Sequence, residues 1–98
     1  MPRGRFVSGR IETDGCKGLR VEARLSRASK GVPGSALLQP MESEDGKDWV
    51  SKGHHLLVGP GDFASMSITD ARRLVRLEAE VPEGVPIRHL VVRVVRVE

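Results

Sequence analysis

The sequence predicts an all-β protein: a small antiparallel β-sandwich of about seven strands and immunoglobulin-like size, or a small barrel. Apolar and charged residues alternate in several short segments, as they do in strands with one buried and one solvated face. Clusters of Gly, Pro, Asp and Ser separate these segments at intervals of about 8–12 residues, a spacing typical of all-β folds. A chain of 98 residues supplies one modest core, so residues 1–98 are expected to form a single domain.

Composition narrows the class of protein further. Hydrophobic residues make up 39% of the chain and charged residues 30%, which is ordinary for a globular domain and too apolar for a disordered one. No apolar run approaches the ~18 residues that a membrane span needs. The single cysteine, Cys16, cannot form an intramolecular disulfide, and no apolar segment of a signal peptide follows the basic N-terminus. A cytoplasmic location is therefore expected.

The clearest strand covers residues 19–25, where odd positions are apolar and even positions charged. Residues 5–13 show a matching alternation, so we expect them to form the other half of a hairpin around a loop at residues 14–18. In this register apolar residues meet on one face and opposite charges on the other: Val7 with Leu25, Ile11 with Val21, Arg10 with Glu22, and Glu12 with Arg20.

The middle of the chain alternates between turns and short apolar segments. Pro40 interrupts a strand predicted at residues 36–41, and since proline cannot donate to a ladder we expect this strand at a sheet edge. The other predicted elements are a loop at 26–35, an acidic turn at 42–48, apolar segments at 49–50 and 54–58, a turn at 59–62 and a strand at 63–68.

Residues 69–80 are compatible with two structures. Val75, Leu77 and Ala79 alternate with charged residues, which favours a strand. The same stretch is rich in good helix formers and begins with Thr69 and Asp70, which could cap a helix. An α+β fold with one helix at about residues 69–80 is therefore the alternative to the all-β fold.

The C-terminal segment, residues 87–97, is the most β-like in the chain. Leu90, Val92 and Val94 alternate regularly, and the apolar positions then shift by one residue. One extra residue would restore the alternation, so we predict a β-bulge at Val94 and Val95.

No combination of residues predicts catalysis, a cofactor or a metal ion. The adjacent His54 and His55 point to opposite faces of a strand, and neither they nor His89 have the spacing of a metal motif. Cys16 has no histidine nearby in the sequence to act as a base. The acidic residues of the predicted turn lack calcium-loop spacing, so we interpret them as a solvated turn: Glu42, Glu44, Asp45 and Asp48.

The charge distribution suggests one binding surface. Residues 1–30 hold eight basic and three acidic side chains, whereas residues 31–66 hold two and five. In the predicted hairpin Arg10, Arg20 and Arg24 share the solvated face, which could contact phosphate groups of a nucleic acid. Only 3% of the residues are aromatic, so few rings are available to stack on bases.

We therefore expect a non-catalytic interaction or assembly module that acts through its surface or a sheet edge. Its partner would be another protein or a second copy of the chain, and a nucleic acid bound by Arg10, Arg20 and Arg24 is the alternative. Trp49 is the candidate contact residue, because tryptophan is enriched at binding hot spots. Alternatively, Trp49 is the main aromatic residue of the core.

Overall fold

The computed structural model describes residues 4–27 and 34–97 and consists of two antiparallel sheets packed face to face. The prediction of a small all-β sandwich is confirmed. Residues 74–80 form a strand, so the helical alternative is not needed. A short 3₁₀ turn lies at Ile87–His89. The strands are β1 (Arg5–Val7), β2 (Ile11–Glu12), β3 (Gly18–Leu25), β4 (Ala36–Ser43), β5 (Val50–Ser51), β6 (Leu56–Val58), β7 (Phe63–Thr69), β8 (Leu74–Glu80) and β9 (Leu90–Val97).

Two sheets divide these strands between them. In the larger one, here called sheet A, the order is β1-β8-β4-β5, with β2 also paired to β8 and β6 also paired to β4. In the smaller one, sheet B, β3 lies between β7 and β9. Most of the predicted loop at 26–35 falls in residues 28–33, outside the described residues.

The core lies between the inner faces of the two sheets. Strand β3 supplies Leu19, Val21, Ala23 and Leu25, each at most 1% exposed, while the charged residues between them point outwards. This burial reproduces the alternation of the sequence because successive side chains of a strand point to opposite faces. The apolar residues that sheet A packs against β3 include Ala36, Leu38, Val58, Val75, Leu77 and Ala79.

The predicted N-terminal hairpin is wrong. Strands β1 and β2 pair with β8 in sheet A, whereas β3 pairs with β7 and β9 in sheet B. The chain therefore crosses between the sheets at residues 13–17. Thr13 stays attached to sheet A, since its backbone N–H donates to the Arg73 carbonyl at 3.0 Å.

The cause of this error is an irregularity between β1 and β2. Val7 lies opposite Glu78 and Ile11 opposite Val75, so four residue steps on one strand match three on the other. One extra residue therefore lies between Val7 and Ile11, and the side chains change face there. Phe6, not Val7, shares the inward face with Ile11, and the regular alternation of residues 5–13 is misleading.

The β-bulge predicted at Val94 and Val95 is also absent. Strand β9 pairs with β3 without interruption from Leu90 opposite Leu25 to Val97 opposite Gly18. The alternation changes because Val95 and Val97 lie on the outer face of sheet B, where burial does not dictate an apolar or a polar residue.

Strand β4 is an interior strand of sheet A, not the edge strand that Pro40 predicted. Pro40 lies opposite Leu77 of β8, and its carbonyl accepts a hydrogen bond from Lys52 N–H on the other side, at 2.9 Å. In an antiparallel ladder the N and C=O groups of one residue point to the same side. The nitrogen of Pro40 thus faces Lys52 and points away from β8, so the proline removes no bond of the β4–β8 ladder.

Candidate functional site

The structure separates the three arginines predicted to share one face. Arg20 and Arg24 lie on the outer face of sheet B, exposed on β3. Arg10 lies in the segment between β1 and β2 of sheet A, and its side chain packs against Gly46 in the turn after β4. An arginine face on an N-terminal hairpin therefore does not exist.

Trp49 is half-buried and lies outside the core cluster. Its ring packs beneath the Arg76 guanidinium, which is 4.4 Å from the ring centroid. Its Nε1–H donates to the Gly46 carbonyl at 3.2 Å, and Arg76 also forms an ion pair of 3.0 Å with Glu78. Trp49 is thus not the main aromatic residue of the core, and its role as a contact residue stays a prediction. Trp49 holds the turn after β4 against sheet A.

The residues considered for chemistry do not assemble into a reactive centre. His54 and His55 are both exposed in the loop before β6. Cys16 is half-buried, and its thiol donates to the Thr13 carbonyl at 3.0 Å. In the part of the chain that the structure describes, no group of three or more His, Cys, Asp or Glu side chains is placed to hold a metal ion.

The acidic turn is organised by its own hydrogen bonds. The Asp45 carboxylate accepts the backbone N–H groups of Asp48 and Lys47, at 3.0 and 2.8 Å. These bonds favour the ionised form and lower the pKa of Asp45 below its ordinary value of 3.8, and the bond from the Asp48 N–H has the largest effect. The carboxylate stabilises the turn and is not arranged as a metal ligand.

The open edge of β9 is the main candidate for a binding site. Strand β9 pairs with β3 on one side and, among residues 4–27 and 34–97, with no strand on the other. The Ser26 N–H donates to the His89 carbonyl at 2.9 Å, which fixes the phase of the ladder because N–H and C=O groups alternate in direction along a strand. The backbone groups of Val91, Arg93 and Val95 therefore point towards β3, and those of Val92 and Val94 point outwards.

An apolar cleft of about 340 Å³ lies beside this edge. Phe6 of the edge strand β1 lines it from sheet A, and Leu90 and Val92 line it from sheet B, with Ile87 between them. Phe6 has the inward orientation of a core residue, since it lies opposite the buried Ala79. It is nevertheless 49% exposed. The sandwich is open on this side, where we call the feature the β1–β9 cleft.

The sequence predicted binding through a sheet edge but did not predict the β1–β9 cleft. Phe6 carried the only available signal, as a large apolar residue in a segment whose alternation placed it on the solvated face. Its contribution to the cleft depends on the pairing of β1 with β8, a contact between distant parts of the chain that periodicity does not reveal.

Comparisons with protein families, with curated proteins and with solved structures give no match for this chain. In the described ranges no helix is long and apolar enough to cross a membrane. The fold is a small β-sandwich, and its open surfaces are the features from which a function can be inferred.

Proposed function

We propose that this protein is a non-catalytic interaction module that binds an extended strand of a partner protein along the open edge of β9. The observation that carries the proposal is the unpaired side of β9 next to the β1–β9 cleft. An added strand would receive main-chain hydrogen bonds from the edge and would place alternate side chains in a pocket, as in known strand additions. A cytoplasmic location is part of the proposal, since the thiol of Cys16 has no disulfide partner.

The outward backbone groups of β9 and the β1–β9 cleft can be used by the same ligand. Val92 and Val94 offer outward N–H and C=O groups for two pairs of ladder bonds. Side chains of an added strand that point inwards would cover Phe6, Leu90 and Val92, whose apolar surface is open to water in the cleft. Burying such surface is favourable by about 25 cal/mol per Å², so apolar side chains are expected at alternate positions of the ligand.

Charge favours an acidic partner over a second copy. Strand β9 carries two arginines, Arg93 and Arg96, and no acidic residue. The strands of sheet B together carry four arginines and one glutamate. A second copy would bring two more arginines to the same edge, whereas carboxylates on a partner strand would lie close to Arg93. We therefore assign the edge to a strand that alternates apolar and acidic residues.

A proline substitution tests strand addition at the edge without removing hydrogen bonds of the fold. The N–H of Val94 points away from β3, so Val94→Pro removes no bond of the β3–β9 ladder and blocks strand addition. Val94→Thr keeps the N–H and serves as the matched control. The probes are a short peptide that alternates valine with glutamate and its counterpart with lysine in place of glutamate, both titrated by calorimetry.

The expected result is binding of the glutamate peptide to the wild type and to Val94→Thr, with at least about tenfold weaker binding of the lysine peptide. Val94→Pro should abolish binding while keeping the β-rich circular dichroism spectrum. No binding of the glutamate peptide, or equal binding to Val94→Pro, would overturn the proposal. If light scattering shows a dimer of the wild type and a monomer of Val94→Pro, the occupant of the edge is a second copy of the chain and not an acidic partner.

Nucleic-acid binding is the second candidate, and one observation favours it. Arg20, Arg24 and Arg93 lie on the outer face of sheet B, and Phe63 on the same face is 62% exposed. This surface replaces the predicted hairpin face and combines positive charge with one ring for base stacking. A gel-shift titration at two salt concentrations tests it. Binding that weakens steeply with salt supports this function, and no shift at low salt rejects it.

A further inference from the structure

A cleft at one end of sheet B is lined by three arginines. It has a volume of about 560 Å³. Arg24 comes from the end of β3, Arg27 from the residues that follow it, and Arg88 from the 3₁₀ turn before β9. Ser26, His89 and Gly61 also line it, and no carboxylate lies among the lining residues. We call this feature the arginine cleft.

The three guanidinium groups have no hydrogen-bond or ion-pair partner in residues 4–27 and 34–97, in contrast to Arg5, Arg72 and Arg76, which form ion pairs with glutamates. Asp62 follows Gly61 in the sequence but does not line the cleft. Its Oδ2 lies 2.7 Å from the position that a β-carbon would occupy on Gly59. The cleft thus collects positive charge that nothing in the described structure neutralises.

Backbone hydrogen bonds hold the arginine-bearing segments together. Ser26 N–H donates to the His89 carbonyl at 2.9 Å, which joins the segment of Arg27 to that of Arg88. Gly61 N–H donates to the Leu25 carbonyl at 2.9 Å. Gly61 has a φ of +79°, and a β-carbon there would lie 3.2 Å from Arg27 Cγ. Glycine therefore permits both this turn and the close approach of the Arg27 side chain.

Two exposed apolar residues lie next to the arginine cleft on the outer face of sheet B, beside the charged side chains of Glu22 and Arg93. Arg24 lies opposite Phe63 on one neighbouring strand and opposite Val91 on the other. Phe63 is 62% exposed and Val91 52%, and both line a second depression next to Arg24. A group bound by Arg24 would thus have an exposed aromatic ring within reach.

We propose that the arginine cleft binds the phosphate group of a nucleotide whose base lies against Phe63. Guanidinium groups present planar pairs of N–H donors that match phosphate oxygens. Arg24, Arg27 and Arg88 hold the phosphate, and the ring of Phe63 stacks on the base. The nucleotide is either a free mononucleotide or part of a nucleic-acid strand, and the two share this chemistry. The inference does not depend on strand addition at β9.

The test measures the affinity of the whole chain for three ligands: adenosine 5′-monophosphate, ribose 5-phosphate and adenosine. Arg88→Ala removes one phosphate contact from an exposed position of the 3₁₀ turn, and Phe63→Ala removes the stacking ring. Lys47→Ala is the control for loss of one positive charge, because Lys47 is exposed in the turn after β4 on the other sheet. Val94→Pro, which blocks the β9 edge, serves as a second control.

Adenosine monophosphate should bind at least tenfold more tightly than adenosine. Arg88→Ala should weaken its binding by about tenfold, while Lys47→Ala and Val94→Pro leave it unchanged. Phe63→Ala should weaken the binding of adenosine monophosphate by about tenfold, within the range measured for stacking. It should leave the binding of ribose 5-phosphate unchanged.

Equal binding of adenosine and its monophosphate would overturn the proposal, as would an affinity that Arg88→Ala does not change. An affinity for ribose 5-phosphate equal to that for the nucleotide would overturn the role of Phe63. An oligonucleotide without a terminal phosphate distinguishes a free mononucleotide from a nucleic-acid strand as the natural ligand. Binding as tight as that of the mononucleotide, and equally sensitive to Arg88→Ala, identifies a nucleic-acid strand, and weaker binding identifies the free nucleotide.

Discussion

Side chains at the turn after β4 show how single residues fix local structure here. Ser43 is fully buried. Its Oγ–H donates to Asp45 Oδ1 at 3.1 Å. Ser43 Oγ also accepts a hydrogen bond from the Gly46 N–H at 2.9 Å. Gly46 adopts a φ of +80°, and a β-carbon there would lie 2.6 Å from the Arg10 guanidinium. The turn therefore requires a small polar residue, a carboxylate and a glycine in this order.

The turn predicts a specific pH dependence. The pKa of Asp45 is lower in the folded chain than its ordinary value of 3.8, so the unfolded chain takes up a proton first as the pH falls. Stability from Asp45 is complete above about pH 4 and is lost as the pH falls through the folded pKa. In urea denaturation between pH 6 and pH 2, Asp45→Asn should lose less stability than the wild type, whereas the exposed neighbour substitution Glu44→Gln should follow the wild type. Equal pH profiles for the wild type and Asp45→Asn would contradict this assignment.

Two leucines in neighbouring strands provide a matched test of the core. Leu38 of β4 is fully buried, whereas Leu57 of β6 is 57% exposed. Leu38→Ala should lower the free energy of unfolding by about 2–5 kcal/mol, because it leaves a cavity between the sheets. Leu57→Ala should change it by about 0.5 kcal/mol or less. Urea denaturation of both variants measures the difference, and similar losses would mean that β4 does not face the core as described.

At the scale of elements, local alternation identifies strands but not their partners. The pattern of residues 19–25 places β3 and its buried face correctly, since both depend only on side chains two residues apart. The partners of β3 are β7 and β9, which lie about 40 and 70 residues further along the chain. Residues 5–13 match β3 equally well in sequence, and the extra residue between β1 and β2 cannot be seen without β8 as the reference.

Hydrogen exchange tests the pairing and the phase of β9. Val91, Arg93 and Val95 direct their N–H groups to β3, and Val92 and Val94 direct theirs to the open edge. In the free protein the first three amides should exchange slowly and the other two rapidly. The amide of Val21 in the central strand is the internal standard for slow exchange. Slow exchange at both Val92 and Val94 would show that another segment already covers this edge.

The whole molecule separates charge between its two sheets. The strands of sheet A carry two arginines and four glutamates, whereas those of sheet B carry four arginines and one glutamate. Summed over the sequence, this asymmetry is hidden in a net charge of +3. The sequence thus predicted an arginine-rich N-terminal segment, but the arginine cleft and the β1–β9 cleft form only where distant segments meet beside the first residues of β9, and Arg88 lines both clefts.

Strand addition at β9 is tested by hydrogen exchange of the Val92 and Val94 amides in the presence of the peptide that alternates valine with glutamate. We expect saturating peptide to slow exchange at these two amides by at least about tenfold and to leave exchange at Val91 and Arg93, already bonded to β3, unchanged. In Val94→Pro we expect no such protection of the Val92 amide. Peptide binding that leaves the exchange of Val92 and Val94 unchanged would contradict the central claim that β9 receives a partner strand.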